Sequence, residues 1–421
     1  MTHKNIKVTT QKYPPPLPLV WAFLPAGKNR ATRLHKSHFQ AVWRSRNIFG
    51  ACEMVLLLLA WPVLLAPRIF VATRRNWRMI QDRTGKGLWR QMWEQFLLAA
   101  QFGFRPTYYY IMEFFLPERR RLAGEYIHRY AVKDSLYRIL KGATVSPLTG
   151  KVVFAQYCEK RGLPVAPVIA SLVDGRVEGG GFSELPAKDL FVKRTRGRGG
   201  ARAELWLHDM GNYRTRSGEC LDGTALMERL LTLSRHEPFM IQVRQMNHPD
   251  IADLSPSALA TVRLVTMINE QGDIEAVRAL FRMGIRADSI VDNFHAGGIA
   301  APIDLETGEL GPATDFGLAP SIGWVDIHPA TGARIAGRRL PQWNDVVALA
   351  RRAHVHFSDR VIVGWDIALT LEGLSIVEGN VAPDVDNIQR PHRAPLGQSR
   401  YGELMLWHVN RTKLTCAVTS L

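Results

Sequence analysis

The stretch from residue 361 to residue 380, VIVGWDIALTLEGLSIVEGN, holds the side chains best suited to chemistry. Two apolar runs flank Leu371-Glu372-Gly373, a pattern typical of a β-hairpin. With the pairing centred on the middle residue of this turn, Asp366 lies opposite Glu378, and Asn380 shares the face of Glu378 because side chains alternate along a strand. Two facing carboxylates repel each other and are costly to bury without a cation or a proton between them. Two carboxylates and an amide oxygen therefore suit Mg²⁺, which takes its remaining ligands from water and phosphate.

The sequence leaves two points about this hairpin open. Its acids could simply face water on the surface of the protein. A β-bulge, which is common beside three-residue loops, would shift the pairing by one residue. The magnesium prediction therefore depends on the register that brings Asp366 to Glu378.

A second stretch, residues 191–206, reads FVKRTRGRGGARAELW and combines a lysine with a glycine-rich loop. Lys193 ends a predicted strand, and Gly197, Gly199 and Gly200 follow it. Glycines allow backbone N–H groups to approach phosphate oxygens closely, and a lysine adds a point charge. The spacing matches neither the Walker A loop nor the dinucleotide-binding fingerprint. A flexible basic loop without a ligand is an equally good interpretation.

The third stretch, residues 238–266, contains a predicted strand that ends near Gln242. The backbone from Gln242 to Gln245 could read the edge of an adenine ring. Further along, Arg263 and Arg282 lie in strands that are otherwise apolar. An arginine that faces into a sheet needs an anionic partner, which could be a phosphoryl group or a structural carboxylate.

The elements that would position these residues begin near residue 146. We predict strands at 165–173, 189–193, 239–246, 261–268, 276–284 and through the hairpin at 361–380, and helices at 151–161, 224–235 and 342–356. Strands and helices alternate irregularly, which favours an α+β fold over a doubly wound sheet.

Positive charge is concentrated at the start of the chain, which has 421 residues and a net charge of +16. The first 150 residues hold 24 Lys and Arg against 7 Asp and Glu, whereas the remainder is nearly neutral. This predicts a basic, mostly helical N-terminal module over residues 1–145 and a catalytic domain over residues 146–421. A basic module suits nucleic acid, anionic lipid or an acidic polymer as its partner.

Residues 47–72 of this module, NIFGACEMVLLLLAWPVLLAPRIFVA, form an apolar segment with arginines on both sides. Its unbroken apolar core is short for a membrane span. The segment either dips into or lies on the cytoplasmic face of a membrane, or it forms a buried helical hairpin. The runs Tyr108–Tyr110 and Arg119–Arg121 could contact RNA or lipid headgroups, but such runs are more often half-buried aromatics and a solvated helix face.

The four cysteines, Cys52, Cys158, Cys220 and Cys416, are scattered without a CxxC spacing. This indicates reduced thiols in a cytoplasmic protein. The histidines show no zinc-ligand spacing. We therefore expect a cytoplasmic protein, peripheral on the inner membrane face if residues 47–72 contact lipid.

Taken together, the three stretches resemble the ATP-grasp superfamily, and in detail its sugar-transfer-associated branch, which is related to α-L-glutamate-ligase-like proteins. The resemblance covers roughly residues 146–400. It is most specific in ATVRLVT (260–266), VDNFHAGGIAAPID (291–304) and GWDIALTLEGLSIVEGN (364–380). It implies an ATP-grasp fold, in which two α+β subdomains clasp ATP, with a hinge near 242–250. Residues 1–145 have no counterpart in it.

The resemblance implies roles in ATP binding. Lys151 and Lys193 would contact the phosphates, and the glycine loop at 197–200 would close over them as a lid. The adenine hinge would consist of Gln242, Val243 and Arg244. Two departures from the family pattern concern this site, because Arg194 stands where a proline often follows the lysine and Gln242 replaces a glutamate.

The resemblance also implies roles in the reaction. Mg²⁺ or Mn²⁺ would be held by Asp366, Glu378 and Asn380. Arg282, together with Arg263, would steady the transferred phosphoryl group. A loop near the acceptor would include Asn293, His295, Gly297 and Gly298.

The implied activity is an ATP- and Mg²⁺-dependent ligation, in which a carboxylate is activated as an acylphosphate and joined to an amine. The carboxylate would belong to a small molecule or a sugar conjugate of polysaccharide biosynthesis. Two alternatives remain: a phosphotransferase of the same fold that acts on a small molecule or sugar, and a nucleotide-binding scaffold at a membrane or RNA. We expect an anionic membrane surface, rather than nucleic acid, as the partner of residues 1–145.

Overall fold

The computed structural model describes residues 29–44, 48–137, 140, 146–178, 184–195, 203–286, 294 and 297–418. Within these ranges the strands form two antiparallel sheets of seven strands each. The strands are β1 Val168–Val173, β2 Arg176–Glu178, β3 Leu190–Arg194, β4 Glu204–Asp209, β5 Asn212–Arg214, β6 Cys220–Asp222, β7 Phe239–Val243, β8 Thr261–Ile268, β9 Ile274–Met283, β10 Ile299–Ile303, β11 Ala313–Thr314, β12 Trp324–Val325, β13 Ile362–Thr370 and β14 Gly373–Asn380.

Helices precede, separate and follow the sheets. The α-helices are α1 Arg30–Arg44, α2 Ile48–Thr84, α3 Leu88–Phe102, α4 Tyr108–Ile111, α5 Pro117–Arg121, α6 Arg129–Ala131, α7 Lys151–Glu159, α8 Gly223–Ser234, α9 Trp343–Val355, α10 Val385–His392 and α11 Arg400–Val418. Short 3₁₀ turns occur at Ala123–Glu125, Pro147–Thr149, Pro249–Leu254 and Leu396–Gln398, and a π-helical turn occurs at Val132–Leu136.

Each strand belongs to one of the two sheets. The first sheet has the order β2-β1-β7-β3-β4-β5-β6, and the second has the order β12-β11-β10-β9-β8-β13-β14. This architecture confirms the predicted α+β class. The predicted strands and helices are present with shifted ends, whereas sequence reasoning missed β4 to β6, β10 and the two C-terminal helices.

The second sheet is covered on both faces, which explains why β13 is buried along its whole length. Val262 and Leu264 of β8 pack in a core with α9. Val265 and Met267 point the other way, into a core with α1, α10 and α11. The N-terminal helix α1 therefore belongs to the core on the face that also carries Arg263, and it packs against α11 there.

The predicted hairpin is present, and its register differs in one detail from the prediction. Thr370 pairs with Gly373, so the turn has two residues rather than three. A register shift follows between Asp366 and Ile367, because Ile367 pairs with Ile376 while Asp366 pairs with Glu378. The extra residue is a β-bulge, and beyond it the predicted pair of acids is restored.

The apolar segment is one continuous helix rather than a hairpin. Helix α2 runs from Ile48 to Thr84 through Pro62 and Pro67, and α3 packs against it. The interpretation of residues 47–72 as a buried hairpin is therefore wrong. Among the described residues, no helix is both long enough and apolar enough to cross a bilayer.

The tyrosine run is part of the core. Tyr108, Tyr109 and Tyr110 are almost fully buried, and the Tyr109 hydroxyl donates a hydrogen bond to Glu94 at 2.7 Å. Arg120 of the neighbouring arginine run also pairs with Glu94, at 2.6 Å. The tyrosines are thus internal side chains, as the buried interpretation held, and not a surface for RNA or lipid.

Candidate functional site

A cleft opens where the two sheets meet. Before the chain enters the first sheet at β1, Val165 forms a bridge with Ile376 of β14. This bridge brings Ala166, which precedes β1, and Gln242 of the first sheet beside Ile376 and Val377 of the second. The cleft and the solvent at its mouth together occupy about 230 Å³. Its walls include Lys151, Ala166, Lys193, Gln242, Ile376 and Val377.

Two lysine side chains line this cleft. Lys151 lies at the start of α7, and its Nζ donates a hydrogen bond to the carbonyl of Arg194 at 2.9 Å. Burial lowers the pKa of Lys151. Burial and the charge of Lys151 lower the pKa of Lys193 to about 8, while the charge of Glu378 opposes this shift. The cleft therefore favours an added anion, which would hold both ammonium groups in their charged form.

Asp366 lies under two arginines, Arg263 on the adjacent strand β8 and Arg282 on the next strand, β9. Its side chain is only 2% exposed. Arg263, its partner in the β8–β13 ladder, binds both carboxylate oxygens, and the contact of Nη2 with Oδ2 is 2.7 Å. Arg282 Nη2 donates to the same Oδ2 at 2.9 Å. Burial opposes ionisation of Asp366, but the two arginines outweigh it and lower its pKa to about 2.

These contacts decide a point that the sequence left open. Arg263 and Arg282 each have a structural carboxylate as an anionic partner, and it is the same one. That carboxylate is also the first predicted ligand of the metal ion. The arginines predicted for phosphoryl transfer and the acid predicted for metal binding thus form one cluster.

Glu378 and Asn380 complete this cluster. Glu378 Oε1 lies 3.9 Å from Arg263 Nη2 and accepts a hydrogen bond from Asn380 Nδ2 at 3.0 Å. Burial and the charge of Asp366 raise the pKa of Glu378, although 42% of its side chain is exposed. The three side chains offer oxygens of the type that Mg²⁺ prefers, and an added cation would relieve the raised pKa of Glu378, whereas both oxygens of Asp366 are already bound by arginines.

The donor set is small. In the part of the chain that the structure describes, no group of three or more His, Cys, Asp or Glu side chains could hold a metal ion. Two carboxylates and one amide are compatible with a cation that keeps water and phosphate among its ligands.

The predicted adenine hinge lies at the end of β7. The side-chain amide of Gln242 donates to the carbonyl of Ala166 at 2.8 Å. The backbone N–H of Arg244 donates to the carbonyl of Asp189 at 2.8 Å, so it faces β3. Because backbone polar groups alternate between the two edges of a strand, those of Val243 face the opposite edge, on the side of β1. Of the three hinge residues, Gln242 lines the cleft.

Part of the predicted site lies outside the described residues. This applies to Gly197, Gly199, Gly200, Asn293 and His295. Gly297 and Gly298 directly precede β10, in which Ala300 pairs with Arg282 of β9. These two glycines therefore lie at the end of the sheet that carries Arg282.

Sequence reasoning missed the segment that follows Asn380. A Cβ added to Gly364 would lie 2.8 Å from the Cβ of Pro383. Gly364 shares its face of β13 with Asp366, which lies two residues further along. The segment around Pro383 therefore crosses the face that carries the arginine–carboxylate cluster.

The N-terminal region holds this segment in place. Arg129 and Lys133 pair with Asp384 at 2.9 Å and 2.8 Å. The Tyr108 hydroxyl donates to Asp386 Oδ2 at 2.7 Å. Burial and the charge of Asp384 raise the pKa of Asp386 to about 7. The only signal in the sequence is the pair of aspartates, two residues apart, that follows the acid–asparagine pattern of the hairpin.

A family model described as sugar-transfer associated ATP-grasp matches residues 133–398. This span is more than half of the chain and contains the lysines, the arginines and the hairpin described above. A search among curated proteins gives no match.

Solved structures give distant likenesses. The chain is similar to D-alanyl-alanine synthetase A of Vibrio cholerae O1 biovar eltor, with 11% identity, a TM-score of 0.38 and coverage of 63% of this chain and 66% of that one. It is also similar to the D-alanine–D-alanine ligase of Bacillus anthracis, with 11% identity, a TM-score of 0.36 and coverage of 70% and 80%. A third similar structure is an N5-carboxyaminoimidazole ribonucleotide synthetase in complex with ADP, with 12% identity, a TM-score of 0.33 and coverage of 56% of this chain and 45% of that one. The chain thus spans just under two thirds of the first relative and under half of the third.

Proposed function

Because the chain belongs to the sugar-transfer associated ATP-grasp family, we propose that it is an ATP- and Mg²⁺-dependent ligase that joins a carboxylate to an amine. The observation that carries this proposal is that Lys151 and Lys193 line the cleft together with Val377, the residue directly before Glu378 in the hairpin. The pKa of Lys193 responds to the charges of both Lys151 and Glu378, so the three groups act on one another electrostatically. A triphosphate with a divalent cation would supply charges of both signs to this cleft.

We assign the nucleotide to the wall formed by the first sheet. The phosphates would contact Lys151 and Lys193, whose lowered pKa values return toward normal beside phosphate oxygens. The adenine ring would meet the backbone of Val243, while the side chains of Gln242 and Arg244 hold the hinge through their contacts with neighbouring residues. The lid would be formed by Gly197, Gly199 and Gly200.

We assign phosphoryl transfer to the cluster on the second sheet. Asp366, Glu378 and Asn380 would hold Mg²⁺, which supplies polarisation of the phosphoryl oxygens and neutralisation of their charge. Arg263 and Arg282 keep two positive charges beside these ligands, and their fixed positions lower the reorganisation needed when charge develops. The substrate carboxylate attacks the γ-phosphorus and ADP leaves. An amine then attacks the acylphosphate carbon, loses a proton and displaces phosphate.

The acceptor would bind beyond the arginines. The candidate loop contains Asn293, His295, Gly297 and Gly298. The family description suggests a carboxylate carried by a sugar or a sugar conjugate. We propose residues 146–421 as the catalytic domain, with a hinge near 242–250, and residues 1–145 as a basic module that places the protein peripherally on the cytoplasmic face of a membrane.

A paired-substrate assay tests the proposal. The purified chain is given ATP, Mg²⁺ and combinations of sugar carboxylates and amines, and phosphate release is measured with each substrate alone and with both. We expect phosphate release that needs both substrates, loss of this release in Lys193→Met, and its retention in Lys160→Met, which changes an exposed lysine at the end of α7.

Two results would contradict ligation. ATP turnover without an amine, with phosphate found on the acceptor, would indicate a phosphotransferase. Binding of nucleotide by calorimetry without turnover of any pair would indicate a scaffold.

A further inference from the structure

Helix α2 carries a large exposed apolar surface. Phe49, Leu56, Leu59, Val63 and Phe70 are between 50% and 80% exposed. We call these five residues the apolar stripe. A monomeric soluble protein rarely exposes so many large apolar side chains in one place without a binding role.

The stripe is confined to one side of the helix. Leu65 and Ile69 are buried in a small core with α3. Successive residues of an α-helix are about 100° apart, so Leu56, Val63 and Phe70 fall close to one line along the helix. Leu65 and Ile69 fall on the opposite side, so the stripe faces away from α3.

Basic side chains lie at one end of the stripe. Arg74, Arg75 and Arg78 are exposed and continue the outer side of α2 after Phe70. Within the described ranges, none of these three arginines makes an ion pair with a carboxylate.

We propose that the apolar stripe of α2 lies in the interface of an anionic lipid bilayer, with Arg74, Arg75 and Arg78 on the headgroups. An exposed apolar face that ends in arginines is the pattern of helices that lie at membrane surfaces. The charge of the surrounding chain agrees, because the first 150 residues carry 24 basic and 7 acidic side chains. This inference rests on the membrane placement proposed above for residues 1–145 and does not depend on the proposed ligase activity.

A second copy of the chain fits the stripe less well. The spacing of the stripe resembles a coiled-coil seam, but such a seam is narrow and is usually flanked by charged residues. Here the flanking positions Val55, Leu64 and Val71 are apolar and exposed. Two copies would also bring together two strongly basic modules, whereas an anionic bilayer complements them.

Vesicle flotation of the full chain tests this. The vesicles contain either phosphatidylcholine alone or phosphatidylcholine and phosphatidylglycerol in equal parts. We expect binding to the anionic vesicles. The double variant Leu59→Glu/Val63→Glu should weaken it by about a hundredfold or more, since each buried aliphatic side chain contributes about 1.5–3 kcal/mol. The triple variant with Gln at Arg74, Arg75 and Arg78 should weaken it by about a hundredfold, from about 1 kcal/mol for each basic residue.

The control and the contrary outcomes separate the explanations. Val355→Glu changes an equally exposed apolar residue at the end of α9 and should leave flotation unchanged. Equal binding to both vesicle types, or unchanged binding of the double variant, would overturn the proposal. So would a wild-type chain that ignores vesicles and instead forms a dimer that Leu59→Glu/Val63→Glu disperses. Unchanged circular dichroism of each variant excludes misfolding as the cause.

Discussion

Replacing Asp366 and Glu378 of the β13–β14 hairpin in turn by their amides distinguishes a carboxylate with a structural role from one that binds a cation. Asp366→Asn leaves Arg263 and Arg282 buried without their counter-charge, which typically costs about 3–5 kcal/mol. The lowered pKa of Asp366 gives a second value for the lost stability. A carboxyl group with a pKa of about 2 in the folded chain stabilises the fold by about 2 kcal/mol above about pH 4, and this stabilisation is lost as the pH falls toward 2. We therefore expect the free energy of unfolding of Asp366→Asn to fall by about 2–5 kcal/mol near neutral pH.

Glu378→Gln should behave differently. Glu378 is partly exposed, and its raised pKa shows that its negative charge is disfavoured where it lies. Removing that charge relieves the repulsion from Asp366, so we expect the free energy of unfolding to change by less than about 1 kcal/mol, or to rise. Turnover of ATP with Mg²⁺ should nevertheless fall by about a hundredfold or more, because an oxygen ligand loses its charge.

Two measurements on the wild-type chain, Asp366→Asn and Glu378→Gln check these expectations. Urea unfolding followed by tryptophan fluorescence gives the change in stability, and phosphate release from ATP in the presence of Mg²⁺ gives the change in turnover. Glu372→Gln, at the exposed tip of the hairpin, is the matched control and should change neither. The reasoning fails if Glu378→Gln is destabilised as strongly as Asp366→Asn, or if Glu378→Gln turns over ATP at the wild-type rate.

Three further predictions concern pH and packing. Phosphate should raise the pKa of Lys193 from about 8, so nucleotide binding should take up a proton and should weaken as the pH rises above 8. Calorimetry in buffers of different ionisation enthalpy measures the proton uptake. Binding without proton uptake would contradict the assignment of Lys193 to the phosphates. Gly379→Ala, whose Cβ would lie 3.0 Å from the ring of Trp365, should cost about 1–3 kcal/mol in urea unfolding, whereas Gly87→Ala, in open space, should not. Asp386, with a pKa of about 7, binds a proton in the folded chain but not in the unfolded chain between about pH 4 and 7, so stability should fall as the pH rises through that window; Asp386→Asn should remove this slope, and a wild-type stability that is flat over the window would refute it.

Local patterns were enough to single out Lys193 and the hairpin of β13 and β14. Lys193 ends an apolar strand before a glycine-rich loop, and the hairpin has strong turn and alternation signals. Such features depend on a few neighbouring residues, so they can be interpreted before the fold is known. The pairing of Asp366 with Glu378 was predicted in this way, and the structure contains it.

The partners of the arginines could not be predicted in this way. Arg263 and Asp366 are 103 residues apart, and nothing in either segment identifies the other. Tyr108 and Asp386 are separated by 278 residues, so the packing of the N-terminal region on the segment after Asn380 was also missed. Contacts of this kind arise from the stacking of layers around one sheet, which local spacing does not encode.

The predicted pairing of Asp366 with Glu378 is correct, although the predicted length of the turn is wrong. The tip is a two-residue turn, and continued without interruption this register would place Val377 opposite Asp366. The bulge adds one residue to β14 and brings Glu378 there instead. Val377 thereby becomes the unpaired residue, and it lines the cleft together with Lys193. Because a bulge redirects side chains as well as the register, one irregularity accounts both for the facing carboxylates and for the wall of the cleft beside them.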